Sequence, residues 1–234
     1  MVAQERSIRR VITAGLLLAI TLLLALTPVG FIPVPTPAGA ATIAHIPAII
    51  GGILEGPVVG LFVSLGFGFA SFMSPSVPVK DPLVIILPRL AIGVVAYWVY
   101  AALRRADRRT LSVLLVVLAG LILVAAYYVS QAVLWLGILV AVAAVAGAIA
   151  VAFWVRHQEA VIVSLVAAGV AGSLTNTVLV LTSAVLRKVA GITPEVALTI
   201  GLTQGIPEAI VSAIIVVAVV TAVRQIGRRQ RSRL

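Results

Sequence analysis

The chain has 234 residues, 62% of them hydrophobic and 10% charged, with a net charge of +10. A soluble domain is about half apolar and about one quarter charged, so this balance, with a mean hydropathy of +1.23, argues against a water-soluble fold. The length holds several membrane spans of about 20 residues but not a large soluble domain besides. With no cysteine, disulfides, thiolate metal sites and a cysteine nucleophile are excluded.

Apolar runs divided by charges or Pro/Gly clusters predict helices at roughly 11–27, 43–54, 57–73, 83–103, 111–129, 132–155, 160–186 and 206–223. The first follows Arg6, Arg9 and Arg10 and so imitates a signal peptide. The small-x-small site Ala38-Gly39-Ala40 lies well past its apolar run, so the helix is expected to be retained. Gly15 and Ala19, and then Thr21 and Ala25, place small residues four apart on it, a spacing that serves close helix contact within the bundle or with a partner. The next segment, 28–42, contains Phe31 and is apolar yet stiffened by prolines. That suits a loop folded over a cavity better than a flexible linker. At 1.5 Å per residue, 43–54 is about 18 Å long, short of a hydrocarbon core of about 30 Å. It either continues into 57–73 as one kinked span or turns at Glu55-Gly56-Pro57, where Pro57 suits the first turn of a new helix.

Charge placement separates these options. With eight spans, one side receives Arg6, Arg9, Arg10, Arg104, Arg105, Arg108, Arg109, Arg156, Arg224, Arg228, Arg229, Arg231 and Arg233, thirteen of the 17 basic residues. The other side receives Lys80, Arg187 and Lys188, and Arg89 lies within a span. With seven spans the split becomes six against ten. Eight spans with both termini in the cytoplasm is therefore the expected topology. The +10 charge is then mainly a matter of orientation, aided by anionic lipid headgroups. Nucleic acid is not an expected partner, because the basic runs are juxtamembrane and not interleaved with aromatics.

Polar residues that are costly to bury in a bilayer are the informative ones. Arg89, in Leu87-Pro88-Arg89-Leu90, either faces a cavity or snorkels to the outer interface. Asn176 lies near the middle of the seventh helix and either lines a site or makes an interhelical hydrogen bond. Glu208, just after Gln204-Gly205-Ile206-Pro207, either joins a site or complements a helix dipole. His45 opens the second helix as a cap, a packing residue or a ligand contact. In the eight-span topology His45, Arg89, Gln204 and Glu208 lie toward the outer face, with Asn176 in reach and the segments 28–42 and 187–205 able to cover them. One cation with several hydrogen-bonding groups suits a small polar, anionic solute.

Other chemistry finds no motif. There is no Walker A phosphate loop and no His-Glu-x-x-His. The two histidines, His45 and His157, fall on opposite sides of the membrane, so neither a metal site nor a cofactor is expected. Ser71 or Ser74 beside His45 lacks the Gly-x-Ser-x-Gly elbow of a hydrolase. No pair of intramembrane carboxylates points to a proton relay.

The stretches Ala44-His45-Ile46-Pro47-Ala48-Ile49-Ile50-Gly51-Gly52, Gly56-Pro57-Val58-Val59-Gly60, Asp81-Pro82-Leu83 and Leu87-Pro88-Arg89-Leu90, then Leu174-Thr175-Asn176-Thr177-Val178-Leu179 and Thr203-Gln204-Gly205-Ile206-Pro207-Glu208, resemble the substrate-binding S components of energy-coupling factor (ECF) transporters, nearest the pantothenate type. The resemblance covers 11–103 and 160–223. It implies a membrane subunit, not an enzyme, that binds a vitamin from outside and docks on a scaffold T component with two cytoplasmic ATPases. It would place the pocket at the 28–42 loop with Phe31, at Arg89, Asn176, Gln204 and Glu208, and the scaffold contact at Gly15 and Ala19. Family members have six helices, so 111–155 reads as an inserted hairpin facing lipid. The expectation is an all-α polytopic membrane protein of the cell membrane, with a six-helix core plus that hairpin, capturing pantothenate. A stand-alone secondary transporter and a non-transport scaffold are the alternatives.

Overall fold

The computed structural model describes residues 2–33, 40–75, 77, 79–107, 110, 142, 147, 150–151, 153–155 and 157–231. The chain divides into two compact units, one formed by 1–101 with 165–234 and the other by 102–164. The elements in order are α1 (Val2–Leu26), β1 (Phe31–Pro33), β2 (Ala40–Thr42), α2 (Ile46–Glu55), α3 (Pro57–Met73), α4 (Pro82–Ile85), α5 (Ala91–Leu103), α6 (Ala160–Leu186), α7 (Pro194–Ile200) and α8 (Ile206–Arg231). Among the described residues, four stretches are long and apolar enough to cross a membrane: Ser7–Leu26, Pro82–Leu103, Ala160–Leu186 and Pro194–Gly227. The fold is that of an all-α membrane protein, with one short β-hairpin among the described residues.

Prolines punctuate the chain as their missing N–H dictates, opening α2, α3, α4 and α7 in the first turn, where no donor is needed. The ambiguous 43–73 segment forms two helices. They reverse at Gly56, whose φ of 100° is accessible to glycine and strained for other residues. The structure also departs from the sequence reading in four places. α1 begins at Val2 and α8 runs to Arg231, because arginine is a good helix former and nothing at either end breaks the helix. The 28–42 loop carries an antiparallel pair with Phe31 opposite Thr42 and Pro33 opposite Ala40. The fourth helix is broken at Pro88–Leu90 by a 3₁₀ turn. The segment 187–205 holds α7, capped by the Thr193 side chain, and then a π-helical turn at Gly201–Gly205.

The hairpin expected at 111–155 lies largely outside the described residues; those described between 142 and 157 are helical. In the 102–164 unit, Val155 and Val163 are buried and pack with Leu103 and Ala106.

The larger unit is organised by glycines that let three backbones touch. A Cβ on Gly52 would sit 2.2 Å from the Gly93 carbonyl oxygen, and one on Gly93 would sit 2.6 Å from the Gly60 backbone. Thus α2, α3 and α5 cross at a point with no room for a methyl group. There Ser64 Oγ accepts a 3.1 Å hydrogen bond from the Gly93 N–H, supplying the polar partner that lipid does not. Leu17, Thr21 and Ala25 face inward on α1, with Thr21 Oγ1 donating to the Leu17 carbonyl at 2.9 Å. Of the two small-residue pairs on that helix, Thr21/Ala25 is buried in the bundle and Gly15/Ala19 is exposed. The central α6 closes the unit: its Gly169 abuts the Ala213 backbone of α8, and its Gly172 abuts Ile49 of α2 and Ala96 of α5.

Gly93→Ala therefore meets backbone that cannot step aside. Its expected cost is about 1–3 kcal/mol, read as a lower melting temperature in detergent. Gly15→Ala, with open space around the new methyl, is expected to lose nothing.

Candidate functional site

The site is built around the break at Pro88. In a continuous helix the Arg89 N–H would bond to the Ile85 carbonyl. In the 3₁₀ turn it bonds instead to the Ile86 carbonyl at 3.1 Å. The Ile85 carbonyl thereby loses its backbone donor, and Nη1 of the Arg89 side chain donates to it. This folds the guanidinium back into the bundle, where Arg89 is 7% exposed. Its charge lies 5.0 Å from the centroid of the Phe67 ring, a cation–π contact that partly replaces hydration. Nε remains buried with no hydrogen-bond partner.

Arg89 forms part of the wall of a cavity of about 460 Å³. Phe67 and Ser71 of α3, Val84 and Ile85 of α4, Asn176, Thr177 and Val180 of α6, Gln204 of the π turn, Glu208 of α8, and Phe31 and Thr42 of the β-hairpin complete most of it. Asn176 is buried and its Oδ1 has no hydrogen-bond partner. Glu208 is likewise buried, and its Oε1 accepts a 2.6 Å hydrogen bond from the Thr42 N–H. The π turn puts an extra residue between α7 and α8, and within it Gln204 is buried in the cavity wall while Leu202 is exposed. At one margin an apolar cluster of Val84, Ile85 and Ala184, backed by Phe72, Val180 and Ile192, closes the wall.

Five of the six residues singled out in the sequence, Phe31, Arg89, Asn176, Gln204 and Glu208, meet at this cavity. His45 is not part of the wall. It is fully buried, its Nε2 is 2.9 Å from Ser212 Oγ, and its ring centroid lies 6.3 Å from that of Phe67, so it ties the start of α2 to α8. Sequence reasoning missed Phe67, the ring under the guanidinium, and weighed Ser71 only as a hydrolase nucleophile and not as part of this wall. Their signal was present: Ser64 and Ser71 are seven apart in an otherwise apolar helix, with Phe67 on the same face. Thr42 was also missed, because a backbone N–H leaves no mark in a sequence.

A second cavity of about 440 Å³ runs along α6 and α7. Leucines and valines dominate its walls, and threonine hydroxyls are its polar side-chain groups, so it suits hydrocarbon and lacks a means of orienting a polar solute. Among the described residues, no three His, Cys, Asp or Glu side chains gather to hold a metal.

A helical membrane protein with a buried, charged cavity of small-molecule size is a solute-binding membrane protein. The sequence profile of the ECF transporter substrate-specific component family matches residues 9–144, more than half of the chain, and the chain belongs to that family. It is the membrane-embedded substrate-binding subunit of an ECF transporter, a transport component and not an enzyme, and the family implies association with a T component and ATPases. No curated protein matches the sequence. The matched range runs through 104–144, which the motif resemblance skipped. It ends before 160, so Asn176, Gln204 and Glu208 lie beyond it.

The partly exposed Asp81–Arg187 pair joins α4 to the end of α6 beside the cavity. Arg187 Nε donates to Asp81 Oδ2 at 2.6 Å, and the Leu83 N–H donates to Oδ1 at 2.9 Å. The arginine bond first, and then the backbone bonds, hold the Asp81 pKa below the usual carboxylate range. A depressed carboxyl stabilises the folded state above its unfolded pKa of about 3.9. That contribution is lost as pH falls through the lower folded value. The melting temperature is expected to fall less below about pH 4 in Asp81→Asn than in the parent protein, and equal acid slopes would remove the pair from the account.

Proposed function

We propose that the protein captures pantothenate from outside the cell and hands it to an ECF transport complex for ATP-driven import. The observation that carries this reading is the buried Arg89, whose Nε has no partner, in a cavity of about 460 Å³ that it shares with the unpaired Asn176 Oδ1 and with Glu208. An unsatisfied buried donor costs about 1–3 kcal/mol, and a carboxylate offered to the guanidinium recovers it as a charge-assisted bond. Asn176 Oδ1 and the second oxygen of Glu208 would accept from hydroxyl and amide groups, the other polar chemistry of pantothenate. The apolar wall from Val84 to Val180 suits its branched carbon skeleton.

In this reading both termini are cytoplasmic and the β-hairpin end of the bundle faces outward. Gly15 and Ala19, exposed on α1, offer the scaffold T component a small-residue face on which a helix can lie close.

Calorimetry of the purified protein with pantothenate tests the substrate. Binding is expected, with Arg89→Ala losing at least about tenfold, or ~1.4 kcal/mol. A smaller loss would sink the charge pair, and no binding would sink pantothenate. The chain has no cysteine, so single cysteines report sidedness cleanly. A membrane-impermeant maleimide is expected to label Lys188→Cys and not Arg105→Cys in intact cells, and the opposite pattern would invert the topology.

A further inference from the structure

One oxygen of Glu208 is committed to the β-hairpin. The Ile43 N–H bonds to the Gly30 carbonyl at 3.0 Å, at the base of the hairpin. Bonded and non-bonded pairs alternate along an antiparallel ladder, so the next pair, Phe31 opposite Thr42, is non-bonded and its N–H groups point away from the partner strand. The Thr42 N–H therefore needs an acceptor outside the hairpin, and Glu208 Oε1 supplies it at 2.6 Å from the first turn of α8. Both residues of that pair, Phe31 and Thr42, line the cavity. A two-stranded ribbon of three residues a side is too short to hold its own place. The same short strand bears on the π turn that carries Gln204.

We propose that Glu208 is a positioning residue: by accepting from the Thr42 N–H it fixes β2 against α8, and so holds Phe31 and Thr42 in the cavity wall. The inference rests on the reading of this cavity as the substrate site, but the tie itself is a hydrogen bond within the chain. Glu208 thus governs how long a solute stays, through the wall, in addition to any contact it makes.

Hydrogen exchange read by mass spectrometry on the full chain in lipid nanodiscs, without ligand, tests the tie directly. Glu208→Ala is expected to speed exchange in peptides covering residues 40–44 by at least about tenfold, the scale of a lost charge-assisted bond. Glu208→Gln retains a side-chain oxygen as acceptor and is expected to exchange more slowly than Glu208→Ala. Thr42→Pro removes the donor while leaving Glu208 intact. It is expected to speed dissociation of radiolabelled pantothenate by about tenfold, and Glu208→Ala added to it is expected to leave exchange at 40–44 no faster than either change alone. Unchanged exchange in Glu208→Ala, Glu208→Gln as fast as Glu208→Ala, or additive effects in the double variant would overturn the proposal. Failure of pantothenate to bind the parent protein would overturn the substrate and leave the exchange result to decide the tie.

Discussion

A guanidinium buried in an apolar bundle has to be hydrogen-bonded, and the way this chain meets that demand sets the rest of the site. Pro88 interrupts a membrane-length stretch, the 3₁₀ turn strips the Ile85 carbonyl of its backbone donor, and the Arg89 side chain takes that donor's place. One local defect therefore supplies both a break in the helix and an anchor that holds the charge at the cavity wall. In a straight helix the Ile85 carbonyl would be satisfied by backbone, and the arginine would have reason to reach for the interface instead.

The anchored charge needs a floor and a frame. Phe67 supplies the floor through its ring face, and it stands on the same helix two turns from the contact where Gly52, Gly60 and Gly93 bring three backbones together. In lipid no hydrophobic force presses helices together, so close backbone approach and interhelical hydrogen bonds take over that task. The Ser64 bond to the Gly93 N–H is the polar part of the same contact. On the opposite wall, α6 and α8 meet through Gly169 and carry Asn176 and Glu208. The cavity is thus framed by close contacts of small residues and lined by the few polar groups those contacts leave between the helices.

The hairpin and the π turn complete this frame. Both place side chains of the cavity wall: Phe31 and Thr42 through the hairpin, and Gln204 through the turn. Strand pairing and π turns depend on what lies across from them more than on local propensity, which is why the 28–42 and 187–205 segments read only as loops in the sequence.

The sequence by itself determined that the chain belongs in a membrane, where most helices start, and which polar residues would be costly to bury there. Proline at helix starts and the cost of burying charge are local effects, legible from residue type alone. That is how Arg89, Asn176, Gln204 and Glu208 stood out before any of them had a neighbour. Their neighbours were decided only in three dimensions. His45 shared the pattern of the others and turned inward to Ser212, while Phe67 gave no polar signal and became the surface on which the cation rests. The tertiary structure alone chose these partners, because which face of a helix meets a cavity depends on where its glycines let other backbones approach.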